Sequence, residues 1–114
     1  MKAAIFKGKG AIALGERPDP TVKEPTDAIV RVVLACVCGS DLWYYRGITP
    51  HPEGSIGHEF IGVVEEVGSE VKTIRKGDFV IAPFAFSDGT CPNCQAGFQT
   101  ACTHGGFVGK ADRR

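Results

Sequence analysis

The sequence predicts a mainly β domain, a small barrel or sandwich of five to seven short strands. Three observations carry this. Fifteen glycines and seven prolines supply frequent turns. The apolar stretches are short, rich in β-favouring residues and separated by turn signals. The 114 residues have the length of one domain, with 43% hydrophobic and 23% charged residues.

In chain order, KAAIFK (2–7) reads as a first strand. GERPDPTVKEP (15–25) carries Pro18, Pro20 and Pro25 and reads as a loop. DAIVRVVLACVCG (27–39) is the strongest strand signal, its apolar run broken only by Arg31. SDLWYYRG (40–47) predicts one helical turn, with Ser40 or Asp41 as N-cap and Gly47 as stop. ITPHPEGSIG (48–57) reads as an irregular loop. HEFIGVVEEVG (58–68) reads as a strand interrupted at Gly62, where a bulge or a close backbone approach is expected. VKTIRKGDFVIAPF (71–84) reads as strand, turn at Lys76-Gly77-Asp78, strand. A cysteine-bearing loop follows, and GGFVGKADRR (105–114) reads as a frayed tail.

Thirteen basic and thirteen acidic residues leave no charge footprint for nucleic acid or an anionic membrane. No apolar run approaches the roughly 20 residues needed to span a bilayer. The N-terminal apolar run is too short for a signal-peptide core, and Lys7 and Lys9 interrupt it. Five cysteines without such a signal point to a reducing, cytoplasmic compartment and to metal or thiol chemistry rather than disulfides.

Two groups of residues carry candidate chemistry. CGSD begins at Cys38 and GHE at Gly57, each at the end or start of an apolar strand. Cys38 and His58 are ligand types suited to zinc, and a catalytic zinc keeps one position open. Asp41 can accept the second ring N–H of His58, Ser40 can pass a proton, and Glu59 can serve as ligand or nearby carboxylate. The plainer alternatives are a small buried hydrophobe for a strand cysteine, which suits Cys36, and simple hydrogen bonding for a lone histidine. The second group is Cys91, Cys94 and Cys102, three zinc-type ligands where a closed structural site needs four.

From Gly57 the chain reads GHEFIGVVEEVGSEV: Gly-His-Glu, two residues, Gly62, five residues, Gly68, two residues, Val71. This resembles the signature of the zinc-containing alcohol dehydrogenases of the medium-chain dehydrogenase/reductase superfamily. CGSD upstream and KGDFV downstream stand in register with it. The resemblance spans nearly the whole chain. It implies a GroES-like, partly open β-barrel over residues 1–114, with short helices and a metal-binding loop lobe at about 86–106. It implies Cys38 and His58 as catalytic zinc ligands and Glu59 as the acidic residue able to enter the coordination sphere. It implies Ser40 as proton-relay hydroxyl and Asp41 as the carboxylate behind the histidine. Trp43 and Tyr44 would lie near the substrate cleft or simply pack.

The family's structural lobe holds four cysteines, the later three lying three, six and fourteen residues after the first. Only Asp88, Cys91, Cys94 and Cys102 keep that spacing, which also places the family's glycine at Gly97. The resemblance therefore implies Asp88 as fourth ligand, with His104 as rival and a reduced, metal-free thiol cluster as the third possibility. A carboxylate conserves the site's charge but replaces a softer ligand, so weaker binding is expected.

The resemblance further implies NAD or NADP as hydride acceptor, a small alcohol, aldehyde or ketone as substrate, and a homo-oligomer. No Gly-rich βαβ turn for a dinucleotide is present, because GKGAIALG has the wrong spacing. The chain is thus expected to correspond to the N-terminal part of such an enzyme, truncated before the nucleotide-binding domain and inactive alone. Uncovered apolar edges are expected to favour self-association. Two competing functions are a non-catalytic metal-binding or interaction module and a co-chaperonin. The latter needs neither the cysteines nor GHE.

Overall fold

The computed structural model describes residues 1–108; the KADRR end lies outside the described residues. The elements run β1 (Lys2–Gly8), β2 (Ala11–Glu16), β3 (Ala28–Cys36), α1 (Asp41–Tyr45), β4 (Gly54–Ser55), β5 (Glu59–Val67), β6 (Phe79–Ala82), β7 (Ala85–Phe86), α2 (Pro92–Gln95), a 3-10 turn (Gln99–Ala101) and β8 (Gly106–Phe107). They form a β2-β1-β4 sheet, a β3-β5-β6 sheet and a β7-β8 ribbon, all antiparallel. These are open sheets, not a closed barrel. Among the described residues no helix is long and apolar enough to cross a membrane.

The β3–β5 pair is the spine. Its register runs from Ala28 opposite Val67 to Cys36 opposite Glu59. The β-branched run Ile29, Val30, Val32 and Val33 fits this pleated pairing. The ladder slips twice, once between Ile29 and Val30 and once between Val32 and Leu34. The second slip lies across from Gly62, as expected for a bulge. A side chain at Gly62 would come within 2.4 Å of the Arg31 carbonyl oxygen. At the other end of β5, the Gly68 N–H donates to Asp27 O at 2.8 Å and the Glu70 N–H to Pro25 O at 2.8 Å. These bonds staple the proline loop to the end of the spine.

Several local readings need correction. Val71–Arg75 is not a strand. The Arg75 N–H donates to Asp78 Oδ2 at 3.0 Å, and the Gly77 N–H to Val64 O at 2.9 Å, so the segment closes into a turn docked on β5. Residues 11–16, left unassigned by the sequence, form β2. The loop 48–57 contains β4, and the supposed tail begins with β8, each paired with a distant strand. The Ser40 side chain makes no capping bond to α1, while Gly47 stops the helix with φ +72° as expected.

The core is small. Ile5 and Phe6 of β1 and Val64 of β5 are its buried aliphatic and aromatic residues. Val32, Val33 and Leu34 remain 53–58% exposed, as do Phe79 and Ile81 on the edge strand β6 at 60% and 77%. Cys36 is exposed rather than buried, which corrects its reading as a core residue. It lines a cavity of about 1140 Å³ together with Ile12, Val30 and Phe60, so among the described residues no packed layer covers the end of β3.

Candidate functional site

The first group of side chains assembles where β3 ends and β5 begins. The chain leaves β3 at Cys36 and turns tightly: the Asp41 N–H donates to Cys38 O at 3.1 Å, and the Cys38 N–H donates to Asp41 Oδ2 at 3.0 Å. Asp41 opens α1 and is 94% buried by this closure, being only 6% exposed. Its other oxygen, Oδ1, lies 3.2 Å from His58 Nδ1. That is an ion-pair distance without hydrogen-bond alignment, so Oδ1 is buried with no hydrogen bond of its own. Ser40 Oγ stands 3.4 Å from Cys38 Sγ and 3.5 Å from His58 Nε2.

Ligand atoms of Cys38, His58 and Glu59 lie within 4.8 Å of one another. The arrangement suits a metal on physical grounds. It offers a thiol, an imidazole and a carboxylate, the donor types zinc accepts. A buried carboxylate oxygen behind the histidine is the partner that fixes a ligating ring. The thiol is already biased toward thiolate. The Ser40 hydroxyl and backbone hydrogen-bond it and His58 adds to them, against burial and the charge of Glu59, so Cys38 is lowered from its ordinary range. Burial opposes a charge on His58, but hydrogen bonding with Cys38 and the charges of Asp41, Cys38 and Glu59 outweigh it and raise its pKa.

A cleft of about 750 Å³ opens beside this group, lined by Ser40, Tyr44, His51, His58, Phe84 and Phe107 among others. Tyr44 borders the cleft, its ring 4.5 Å from that of His51. Trp43 does not line it and is 54% exposed. The sequence reading missed Phe84 and Phe107. Their rings stack at 5.2 Å, and Phe84 meets His58 edge-on at 5.9 Å. A signal was present, since the two residues flank the cysteine stretch and any ligand set that closes this loop brings its flanks together.

The second group closes that loop. β7 and β8 pair at its base, with Ala85 opposite Phe107 and Phe86 opposite Gly106. Pro92 starts α2 with its φ preset, and Cys91 caps the helix, its sulfur accepting the Cys94 N–H at 3.5 Å. Asn93 Nδ2 donates to Ala101 O and Gln95 Nε2 to Gly89 O, both at 2.7 Å. Within this frame a carboxylate oxygen of Asp88 and the sulfurs of Cys91, Cys94 and Cys102 lie within 4.8 Å of one another. Cys91 Sγ and Cys102 Sγ are 3.9 Å apart. A disulfide needs about 2.05 Å, whereas two thiolates on one tetrahedral zinc stand about 3.8 Å apart. Asp88 is held by N–H groups of Thr90 at 2.8 Å and Cys91 at 3.0 Å, both to Oδ1. His104 does not join the cluster; its Nδ1 meets Asp88 Oδ2 at 2.5 Å.

The thiols of this cluster are unequal. Backbone hydrogen bonds from Thr103 and Cys94 lower Cys91 to about 6, while burial and the neighbouring thiols push Cys94 up to about 12. At neutral pH Cys91 is thus a thiolate and Cys94 is protonated. A metal must displace the protons that the cluster's thiols still carry, that of Cys94 among them, so zinc affinity should fall at least tenfold for each unit the pH drops between these two values. Calorimetry in buffers of different ionisation enthalpy is expected to show at least one proton released per lobe zinc at pH 7. Binding with no proton release would contradict this protonation pattern.

Comparisons with known proteins agree on one family. The model of the alcohol dehydrogenase GroES-like domain matches residues 24–112. Zinc-type alcohol dehydrogenase B of Aspergillus flavus is 44% identical over 103 residues, covering 90% of this chain and 24% of that protein. The structure of alcohol dehydrogenase TADH from Thermus sp. ATN1 superposes with a TM-score of 0.87 at 42% identity, covering 94% of this chain and 31% of that one. A short chain alcohol dehydrogenase from E. coli CFT073, solved with its cofactor NADH, gives a TM-score of 0.74 at 35% identity, covering 96% of this chain and 32% of that one. The chain therefore spans about a quarter to a third of the length of these relatives. With 89 of its 114 residues inside the matched span, the chain belongs to the alcohol dehydrogenase GroES-like domain family.

Proposed function

We propose that this chain is the zinc-binding portion of the catalytic domain of an NAD(P)-dependent zinc alcohol dehydrogenase, which interconverts an alcohol and an aldehyde or ketone. The observation that carries the reading is the convergence of Cys38, His58 and Glu59, with Ser40 between the thiol and the imidazole and with Ser40 and His58 lining the cleft. Cys38 and His58 would hold a catalytic zinc, with Glu59 able to join them. Zinc bound there supplies Lewis-acid polarisation of an oxygen ligand.

The chain's own residues do the rest. Asp41 holds the ring of His58 from the Nδ1 side and leaves Nε2 facing Ser40. The Ser40 hydroxyl is placed to take the proton that an alcohol loses on oxidation and to return it in the reverse direction. The walls of Tyr44, His51, Phe84 and Phe107 bound a space suited to a small, partly apolar substrate. In this reading the hydride acceptor would be a nicotinamide cofactor, of the kind present in the E. coli structure. The 86–106 lobe would hold a structural zinc through Asp88, Cys91, Cys94 and Cys102. Assembly as a homo-oligomer and a cytoplasmic location accompany the same reading.

The test is metal content. Purified chain is expected to carry about two zinc ions, and Cys38→Ser or His58→Ala about one, with unchanged far-ultraviolet circular dichroism. If either substitution left the zinc content unchanged, or unfolded the chain, these residues would not be the catalytic ligands.

A further inference from the structure

We infer that His104 is a positioning residue for the lobe metal, one that holds Asp88 in ligating orientation without itself binding the ion. The inference rests on the reading of Asp88 as fourth ligand and deepens it. A carboxylate is a weaker, harder partner for zinc than the thiolate it replaces, and it can turn about its last torsion. Such a ligand gains most from groups that fix its plane.

Here both oxygens are engaged. Oδ1 accepts the N–H groups of Thr90 and Cys91, and Oδ2 accepts from His104 Nδ1. An ionised carboxylate only accepts hydrogen bonds, so Nδ1 carries the proton in this pair. That nitrogen is committed to Asp88, and His104 lies outside the set of atoms gathered within 4.8 Å. The pair also bridges the two ends of the loop, 16 residues apart, alongside the bond from the Asp88 N–H to Cys102 Sγ at 3.3 Å. The side chain of His104 is 74% exposed against 20% for Asp88, so removing the imidazole should disturb little besides this contact.

The experiment is a cobalt(II) titration of the 114-residue chain followed at the thiolate charge-transfer band, then zinc competition. The three lobe sulfurs dominate that band. His104→Ala is expected to lower lobe affinity about 10- to 100-fold, the range for removing a hydrogen-bond partner of a metal ligand, with the band's intensity unchanged at saturation. His104→Gln, which can still donate, should recover part of the loss. In an Asp88→Cys background the His104→Ala change should have no effect, because a thiolate needs no such partner. Affinity unchanged in His104→Ala, with Asp88→Ala weakened, would overturn this inference and leave Asp88 as ligand. Affinity unchanged in Asp88→Ala would overturn the ligand reading beneath it. An equal loss in the Asp88→Cys background would show that His104 acts on the loop or the metal directly, which also overturns the inference.

Discussion

Cys94→Ser is expected to empty the 86–106 lobe of zinc and to unfold it while the rest of the chain holds. Between Phe86 and Gly106 the buried residues are Cys91 and Cys94; Phe98, the largest apolar side chain inside the loop, is 65% exposed. The loop has no hydrophobic core, so its short elements are organised around sulfur. If the lobe holds zinc as proposed, metal binding and folding are one equilibrium, and structural zinc sites in zinc-finger peptides contribute roughly 10–16 kcal/mol to it. Serine has almost the size of cysteine but is a far poorer zinc ligand, so the change tests ligation rather than packing. Zinc content should drop by about one per chain. Hydrogen exchange should show lost protection across 88–102, with amides of β1, β3 and β5 still protected. Retained protection in the lobe after loss of its metal would show that the side-chain bonds of Asn93 and Gln95 suffice, and the metal would lose its structural role.

Gly62→Ala is expected to destabilise the whole domain by on the order of 3 kcal/mol, a large effect for one methyl group. Its φ is not positive, so conformational freedom is not the issue. The added carbon would meet Arg31 O at 2.4 Å, Val30 Cγ1 at 2.7 Å and Arg31 C at 3.0 Å. Two of these are backbone atoms of the paired strand and cannot swing aside as a side-chain end can. The β3–β5 ladder must open there, three residues from Glu59 and four from His58. Metal affinity at Cys38, His58 and Glu59 should fall together with stability, because the two strands hold these proposed ligands in register. Gly39→Ala is the control, since a carbon there meets nothing within 4 Å and φ is not positive. Urea unfolding at constant slope measures both variants. A Gly62→Ala shift below about 0.5 kcal/mol, the range of an ordinary surface change, would mean that the strands separate cheaply at the bulge.

What the sequence disclosed follows the range over which each feature is determined. The β3 and β5 runs are dense in β-branched residues, so their strands and the bulge at Gly62 were visible locally. The pairing of CGSD with GHE was legible because each motif abuts one of those strands. Cys38, Ser40, Asp41, His58 and Glu59 converge as the motifs suggested. β2 was hidden because AIALGE has only two strongly apolar residues, Ile12 and Leu14, and both stay exposed. β4 and β8 are two residues long and exist only through their partners, which no local pattern encodes. Val71–Arg75 has strand-like spacing, but the Asp78 carboxylate and the docked Gly77 amide decide its shape. At the lobe the spacing led to Asp88, but it could not show that His104, the apparent rival, is Asp88's hydrogen-bond partner.

The stack of Phe84 on Phe107 puts the two side-chain clusters in mechanical series. Both rings sit at the neck of the lobe, where the Val108 N–H donates to Phe84 O at 2.7 Å, and Phe84 faces His58. Changes beyond the neck at exposed positions outside the four-residue cluster, such as Phe98, stop short of the cleft. Anything that parts the neck reaches His58 in a single step. Exposed lobe positions such as Phe98 can accordingly change without reaching the cleft, and the insulation ends at two phenylalanines.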